Sequence, residues 1–145
     1  VYGLFQFGKI GAATTTTGGT VKEVVEITAA IAKLDDEVSS TDKTGKHLVL
    51  VGGPCKNSLV ADLKTSGKFA YGCSDWPARN FAVIQVVDAA FGTGKMAVVV
   101  AGTRAEDTRL AASVLQAHDS KLSTINGSKV EVTGTVLASA AVTPV

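Results

Sequence analysis

The chain has 145 residues, of which 46% are hydrophobic and only 6% aromatic, and its 14 Lys and Arg nearly balance 13 Asp and Glu. This length suits one domain, residues 1–145, with an aliphatic core. The balance of charge excludes the broad basic surface that gathers nucleic acid, so no nucleic-acid partner is expected.

The first residues show neither a secretion signal nor a membrane span. Residues 1–17 lack a basic region followed by an apolar one, and no apolar run reaches the roughly 20 residues that cross a bilayer. We therefore expect no transmembrane segment and a signal peptide that has already been removed. A short apolar run at Val24, Val25 and Ile27 fits either a strand or the start of a helix.

An acidic stretch follows, with Asp35, Asp36 and Glu37 in a row and Asp42 shortly after. Carboxylates are the hard oxygen ligands that calcium prefers, although this spacing does not match an EF-hand loop. A solvated polar face is the alternative interpretation, and the pattern favours it. These four residues are therefore weak candidates for a structural calcium site, and no other cofactor is expected.

Residues 47–51, HLVLV, are continuously apolar, which is typical of a strand covered on both faces. Gly52, Gly53 and Pro54 end the strand, and a helix with an apolar side should follow. That side consists of Leu59, Val60 and Leu63. A strand, a glycine turn and a helix also form phosphate sites, but the G-x-G-x-x-G pattern is missing and Pro54 has no amide to donate. The sequence favours a purely structural turn.

Two further strands are predicted at residues 81–87 and 96–102, separated by a turn or helical turn in DAAFGTGK. Gly94 and Lys95 resemble part of a P-loop. Ala89 and Met96, however, stand where that motif needs a glycine and a Ser or Thr. A turn with a lysine is the better interpretation.

Thr103 and Glu106 have the spacing of a helix capping box. The residues that then recur at helical spacing are Leu110, Ala111, Val114, Leu115 and His118. A turn at Asn126 and Gly127 leads to a half-exposed strand, which alternates through Val130, Val132 and Val136.

The order strand, helix, strand, strand, helix, strand predicts an α/β fold in three layers. We expect a mixed, mostly parallel sheet flanked by helices, with extended β termini that lie at sheet edges.

Cys55 and Cys73 are the only cysteines, and their separation permits a disulfide in an oxidising compartment. Two buried thiols in a cytosolic protein would explain the count nearly as well. Catalysis would need Cys73 or a serine beside His47 or His118, and no G-x-S-x-G elbow occurs. We expect no catalytic residue.

Two features would carry sugar if the protein is secreted. Asn126 begins the single N-x-S/T match in the chain, which makes it a candidate glycosylation site. The threonine run at residues 14–17 is a candidate for O-linked sugar on composition alone.

Residues 31–63 and 82–115 resemble the archaeal surface-layer protein family, best known from methanogens. The most specific parts are LVLVGGP followed by NSLVADL, and VVVAG followed by AEDTRLAASVL. The resemblance implies an exported protein that assembles with its own copies into a cell-covering array, often glycosylated and without catalytic activity. It also implies that the glycine turn after residue 51 is architectural. The outside location favours a Cys55–Cys73 disulfide.

The leading prediction is thus a structural, extracellular, self-associating protein of an archaeon, in a surface layer or a filament. Its partners would be its own copies, and an extended terminal segment, 1–20 or 130–145, could add as a strand to the open sheet edge of the next copy. The alternative is a module or enzyme that binds a small ligand or nucleotide. Its site would be the two strand-end turns, Gly52 to Pro54 and Gly102 with Thr103.

Overall fold

A computed structural model describes residues 32–145, of which residues 34–145 form one compact unit. The run at Val24 to Ile27, the threonine run 14–17 and the terminal segment 1–20 lie outside the described residues. The elements, in chain order, are a 3₁₀ helix (Asp35–Glu37), α1 (Ser40–Gly45), β1 (Leu48–Val51), α2 (Ser58–Thr65), β2 (Ala82–Val87), β3 (Ala97–Gly102), α3 (Ala105–Gln116), α4 (His118–Lys121), β4 (Lys129–Thr133), a second 3₁₀ helix (Leu137–Ser139) and β5 (Ala141–Pro144).

The sheet is mixed but mainly antiparallel, so the prediction of a mostly parallel sheet was wrong. Its strand order is β1-β3-β2-β4-β5, and β1 and β3 are the only parallel pair among the strands of residues 32–145. The physical reason lies between β2 and β3, where the chain closes a tight turn through hydrogen bonds from Ala90 N to Lys95 O and from Lys95 N to Gly92 O. A parallel crossover needs about a dozen residues or more, and this connection is shorter.

The predicted three-layer arrangement is not supported either. α3 has 12 residues and contacts β2, β3 and β4. α2 has only 8 residues, and it contributes to the main core together with an aromatic loop, residues 66–81. This loop packs against the core where a layer of helices was expected. Residues 32–145 thus form an α/β fold with one mixed sheet and few, short helices.

The predicted strands and the helix after the glycine turn are present. Leu59, Val60 and Leu63 of α2 are fully buried, as the sequence pattern indicated. They belong to one hydrophobic cluster whose other members are Leu50, Phe69, Phe81, Val83, Val87, Ala90, Ala97, Val99 and Ala101. Burial of this aliphatic and aromatic surface is the main term that stabilises the unit.

The predicted capping box at the start of α3 is one residue out of register. The Asp107 carboxylate, not Glu106, accepts a hydrogen bond at the helix start, from Arg104 N at 3.1 Å. Thr103 is not the cap because Arg104 occupies the N-cap position, and the Thr103 hydroxyl instead donates to Phe81 O. Glu106 instead forms an exposed ion pair with Arg109 at 3.1 Å.

The C-terminal segment forms the far edge of the sheet. Val130 and Val132 are buried in β4, as predicted, but β4 ends at Thr133. Val136 lies beyond the strand and is 57% exposed, so the expected alternation does not reach it. After the second 3₁₀ helix, β5 pairs antiparallel with β4, and no other strand of the described residues pairs with its far side.

Candidate functional site

The two turns predicted as a ligand site lie side by side in the structure. Because β1 and β3 are parallel, their carboxyl ends meet at the same end of the sheet. A Cβ placed on Gly53 would lie 3.9 Å from Gly102 O and 3.9 Å from Trp76 Cζ2. The location agrees with the usual position of ligands in α/β sheets, but the space there is taken by the protein's own groups.

At the first turn, a carboxylate and an amide of the protein take the place that a phosphate would occupy. Asp35 Oδ2 accepts a hydrogen bond from Ser58 N at 2.7 Å. Asn57 Oδ1 accepts from Leu59 N at 3.0 Å and from Val60 N at 3.3 Å. The free amides at a helix start attract anions, and here all three are bonded. The structure therefore supports the structural interpretation of this turn.

The hydrogen bonds at this helix start also affect the titration of Asp35. Donation from the hydroxyl and then the amide of Ser58 holds the pKa of the Asp35 carboxyl below its ordinary value of 3.8. The carboxylate stays charged beside the positive end of α2, which is the favourable arrangement.

At the second turn the backbone of α3 comes too close to β3 to leave a cleft. Gly102 N donates to Thr108 Oγ1 at 3.0 Å, and Thr103 N donates to Phe81 O at 2.9 Å. A Cβ on Gly102 would lie 2.6 Å from Thr108 N. The glycine is needed because a strand and a helix start meet here, and not because a ligand approaches.

Four aromatic rings cover the strand ends. The rings of Tyr71 and Trp76 are stacked with their centroids 4.5 Å apart, and Trp76 lies 5.5 Å from Phe81. Phe69, which is buried, completes the group and contacts Tyr71 edge to face at 5.8 Å. Sequence reasoning missed this cluster because its members are scattered over a loop with neither helical nor strand periodicity.

Covalent and ionic links hold the aromatic loop in place. Cys55, just before α2, is bonded to Cys73 in the loop, with the two Cα atoms 5.0 Å apart. The predicted disulfide is thus present. Lys64 adds an ion pair with Asp75 at 2.9 Å and also donates to Ala70 O. The hydrogen bond from Lys64 to the Asp75 carboxyl lowers the pKa of that carboxyl.

The histidines considered for catalysis lie apart from Cys73. His47 Nδ1 accepts a hydrogen bond from Met96 N at 3.1 Å, at the start of β1. His118 begins α4 and lies 3.2 Å from the exposed Asp119. The structure brings neither ring to Cys73, whose sulfur is in the disulfide with Cys55 and is not a free thiol.

An ion pair between Arg79 and Glu131 joins the loop to β4. The two terminal guanidinium nitrogens of Arg79 donate to the two carboxylate oxygens of Glu131, and the guanidinium carbon lies 4.1 Å from the centroid of the Phe81 ring. Donation from Arg79 lowers the pKa of the Glu131 carboxyl, and desolvation opposes this only in part. No local pattern signals a pair 52 residues apart in the chain.

The four candidate calcium ligands do not converge. Asp35 caps α2, whereas Glu37 accepts from Leu34 N at 2.8 Å. Asp42 is buried in α1 and forms hydrogen bonds with Ser39 N and Lys46 Nζ. Among residues 32–145 the structure contains no group of three or more His, Cys, Asp or Glu side chains that could hold a metal. Calcium binding stays a prediction.

Asn126 lies in the exposed turn before β4. Gly127 adopts a φ of 135°, which favours glycine, and Ser128 O accepts from Val86 N at 2.7 Å. The sequon is therefore accessible on a turn that is itself anchored to the sheet.

Two surface depressions lie away from the strand ends. One, of about 350 Å³, is bordered by α3 and residues 135–137. The other, of about 150 Å³, is bordered by residues of β2, β3 and β4, by Leu115 of α3 and by the segment 122–128. Neither is lined by the glycine turns. In the described part of the chain, no helix is long and apolar enough to span a bilayer.

Comparison with known proteins gives one consistent result. A family described as "S-layer like family, outer domain" matches residues 5–118. S-layer proteins are similar to this chain in Methanothermococcus thermolithotrophicus (43% identity over 94 residues, 65% of this chain and 16% of the relative) and Methanocaldococcus jannaschii (47% over 90 residues, 62% and 15%). The S-layer protein of Methanococcus voltae is 34% identical over 95 residues, 66% of this chain and 16% of the relative. The match thus spans about one sixth of these relatives, and no solved structure matches.

Proposed function

Because this chain belongs to the S-layer-like family, whose outer-domain region matches most of it, we propose that it is a structural, non-catalytic protein of an archaeal cell surface that assembles with its own copies. The observation that carries the proposal is the family match over residues 5–118. The S-layer proteins of three methanogens supply the biological setting. The proposed location is extracellular, at the cell surface.

The sheet supports assembly because both of its edges are open among the described residues. β1 pairs only with β3, and β5 pairs only with β4. Unpaired strand edges present backbone N–H and C=O groups that can bond to another chain. We propose that terminal segments, 1–20 or 130–145, take part in contacts between subunits, in a lattice or a filament.

The strand-end turns give no support to the alternative of a small-ligand module. Protein groups bond the amides after β1, the start of α3 fills the space after β3, and Trp76 covers Gly53. A ligand there would have to displace the aromatic loop, which the disulfide holds.

We further propose that Asn126 carries an N-linked sugar when the protein is made in its own host. Residues 126–128 are exposed, so a glycan on Asn126 would extend into solvent. It would leave the backbone hydrogen bond from Val86 N to Ser128 O in place. The intact mass of the native protein, compared with that of an N126Q variant, tests this proposal. Equal masses, apart from the substitution, would contradict it.

Sedimentation velocity combined with electron microscopy tests the main proposal. We expect large, ordered assemblies without any added ligand. In the same preparation, 1 mM nucleotides should leave the midpoint of thermal unfolding unchanged, whereas a ligand at 100 times its Kd would stabilise the fold by about 2.7 kcal/mol. A stable monomer that a nucleotide stabilises would favour the alternative.

A further inference from the structure

The two open edges of the sheet are not equivalent. In a parallel pair of strands, every second residue directs both its N–H and its C=O group to the neighbouring strand, and the residues between them direct these groups to the other side. Leu48 N donates to Met96 O and Gly52 N to Val100 O, so Val49 and Val51 direct their N–H and C=O groups away from the sheet. Asn57 Nδ2 already donates to Val51 O at 3.2 Å. The outer side of β1 therefore offers two amides and the carbonyl of residue 49 to another chain.

The outer side of β5 is a poor template by comparison. Val145 N donates to Lys129 O, and in the antiparallel pattern Thr143 and Ala141 face β4 in the same way. Pro144 and Val142 are then the residues that face outward. Proline has no N–H, and proline on an edge strand is a common means of preventing edge pairing. Only one outward amide remains on this strand.

The side chains of β1 are also suited to a contact. Val49 is 44% exposed and Val51 is 37% exposed, and neither is shielded by a charged neighbour on the same strand. Val86 of β2 lies in the same row across the sheet, because Val98 of β3 is paired with both Val49 and Val86, and Met96 directly precedes β3; both are also exposed hydrophobic residues. An exposed, uncharged edge strand beside such residues is a site for another strand.

Two terminal segments could supply that strand, and the structure distinguishes them. Residues 130–145 already form β4 and β5, and donating them would cost the chain two strands of its own sheet. Residues 1–10, VYGLFQFGKI, precede the described part of the chain and carry a single charged side chain, Lys9. Their strand-favouring residues are Val1, Tyr2, Phe5, Phe7 and Ile10. With one charged side chain in ten residues, this mostly apolar segment suits the uncharged, exposed edge of β1.

We propose that the outer edge of β1 is the acceptor for residues 1–10 of a second copy, which add as a strand beside Val49 and Val51. This inference rests on the proposed self-assembly and specifies which surfaces of the two copies meet. The donor and acceptor are different surfaces, so the contact runs head to tail and generates an open chain of subunits unless the rotation closes a ring.

Matched proline variants of the full chain test the acceptor edge. V49P removes one outward amide without removing a hydrogen bond of the sheet, so the subunit should still fold. V142P makes the same change on the outer side of β5. We expect V49P to raise the concentration needed for assembly roughly tenfold, whereas V142P should assemble like the unaltered protein. Circular dichroism checks that both variants are folded.

A charge variant and a peptide complete the test. V51K should impair assembly and V142K should not, which keeps the proposal testable if V49P fails to fold. A synthetic peptide of residues 1–10 should shorten the assemblies by occupying β1.

Three outcomes are decisive. Assembly that is lost only in the β1 variants and is inhibited by the peptide supports the proposal. Assembly of the unaltered protein that persists in V49P and V51K refutes the β1 contact and leaves the proposed function in place. A chain that never assembles overturns both.

Discussion

The Cys55–Cys73 disulfide holds the loop that covers the strand ends, and its removal should destabilise the fold measurably. Replacing both cysteines by serine (C55S/C73S) leaves the core residues untouched but frees the loop from the start of α2. The loop would keep its aromatic packing and the Lys64–Asp75 ion pair. We therefore expect a folded but less stable protein.

The size of the effect follows from the length of chain that the bond closes. The two cysteines are 18 positions apart, and closing a loop of that size removes unfolded-state entropy equivalent to about 3 kcal/mol at 25 °C. For a unit of this size, 1 kcal/mol corresponds to about 4 °C in the unfolding midpoint. The double variant should therefore unfold about 12 °C below the oxidised protein.

Calorimetry and fluorescence measure this change together. The sequence has a single tryptophan, Trp76, whose ring stacks on Tyr71 in the loop. Its emission therefore reports on the loop alone, and quenching by acrylamide should increase in the variant. Because there are only two cysteines, the reduced unaltered protein is a matched control and should behave like C55S/C73S. A midpoint within 2 °C of the oxidised protein would refute the reasoning and show that packing alone holds the loop.

Three further predictions concern other parts of the fold. G102A should destabilise the protein by about 1–3 kcal/mol because the new methyl group meets the backbone of α3. G45A is the control and should not destabilise it, because no atom of the described residues lies within 4 Å of a Cβ there. Chemical denaturation of both variants measures the difference. E131Q should lower the unfolding midpoint at pH 7, and the difference should vanish on acidification: the pKa of Glu131 is lowered by Arg79, so the stabilisation is present above the ordinary value of 4.5 and is lost as the pH falls through the lowered pKa. A midpoint difference that persists at low pH would contradict this. N57A should cost about 1 kcal/mol because α2 loses its N-cap, and an unchanged denaturation curve would show that Asp35 caps the helix sufficiently alone.

Sequence patterns predicted the elements with strong local periodicity. They did not predict features that depend on contacts between distant parts of the chain, such as the direction of strand pairing. The continuous apolar runs before Gly52 and Gly102 indicated β1 and β3, and the spacing of Leu59, Val60 and Leu63 indicated the buried side of α2. The prediction that most strands are parallel was wrong because the hydrophobic pattern of a strand is the same whichever way the strand runs. The short connection between β2 and β3 was the available signal for an antiparallel pair.

The candidate site shows the same division. The absence of a phosphate pattern in the turn at Gly52 was readable from the sequence, since Pro54 lacks an amide. The group that bonds the amide of Ser58 instead is Asp35, which is 23 positions away and was interpreted as part of an acidic cluster. Similarly, the aromatic cover over Gly53 depends on how the loop folds back, which no local periodicity reports.

The central claim is that this chain is a structural subunit that assembles with itself. Electron microscopy of the untreated, full-length chain, with sedimentation velocity on the same sample, tests it most directly. We predict regular lattices or filaments that form without ligand and dissociate only under conditions that disturb the subunit contacts. A homogeneous population of single subunits over the whole accessible concentration range would contradict the claim.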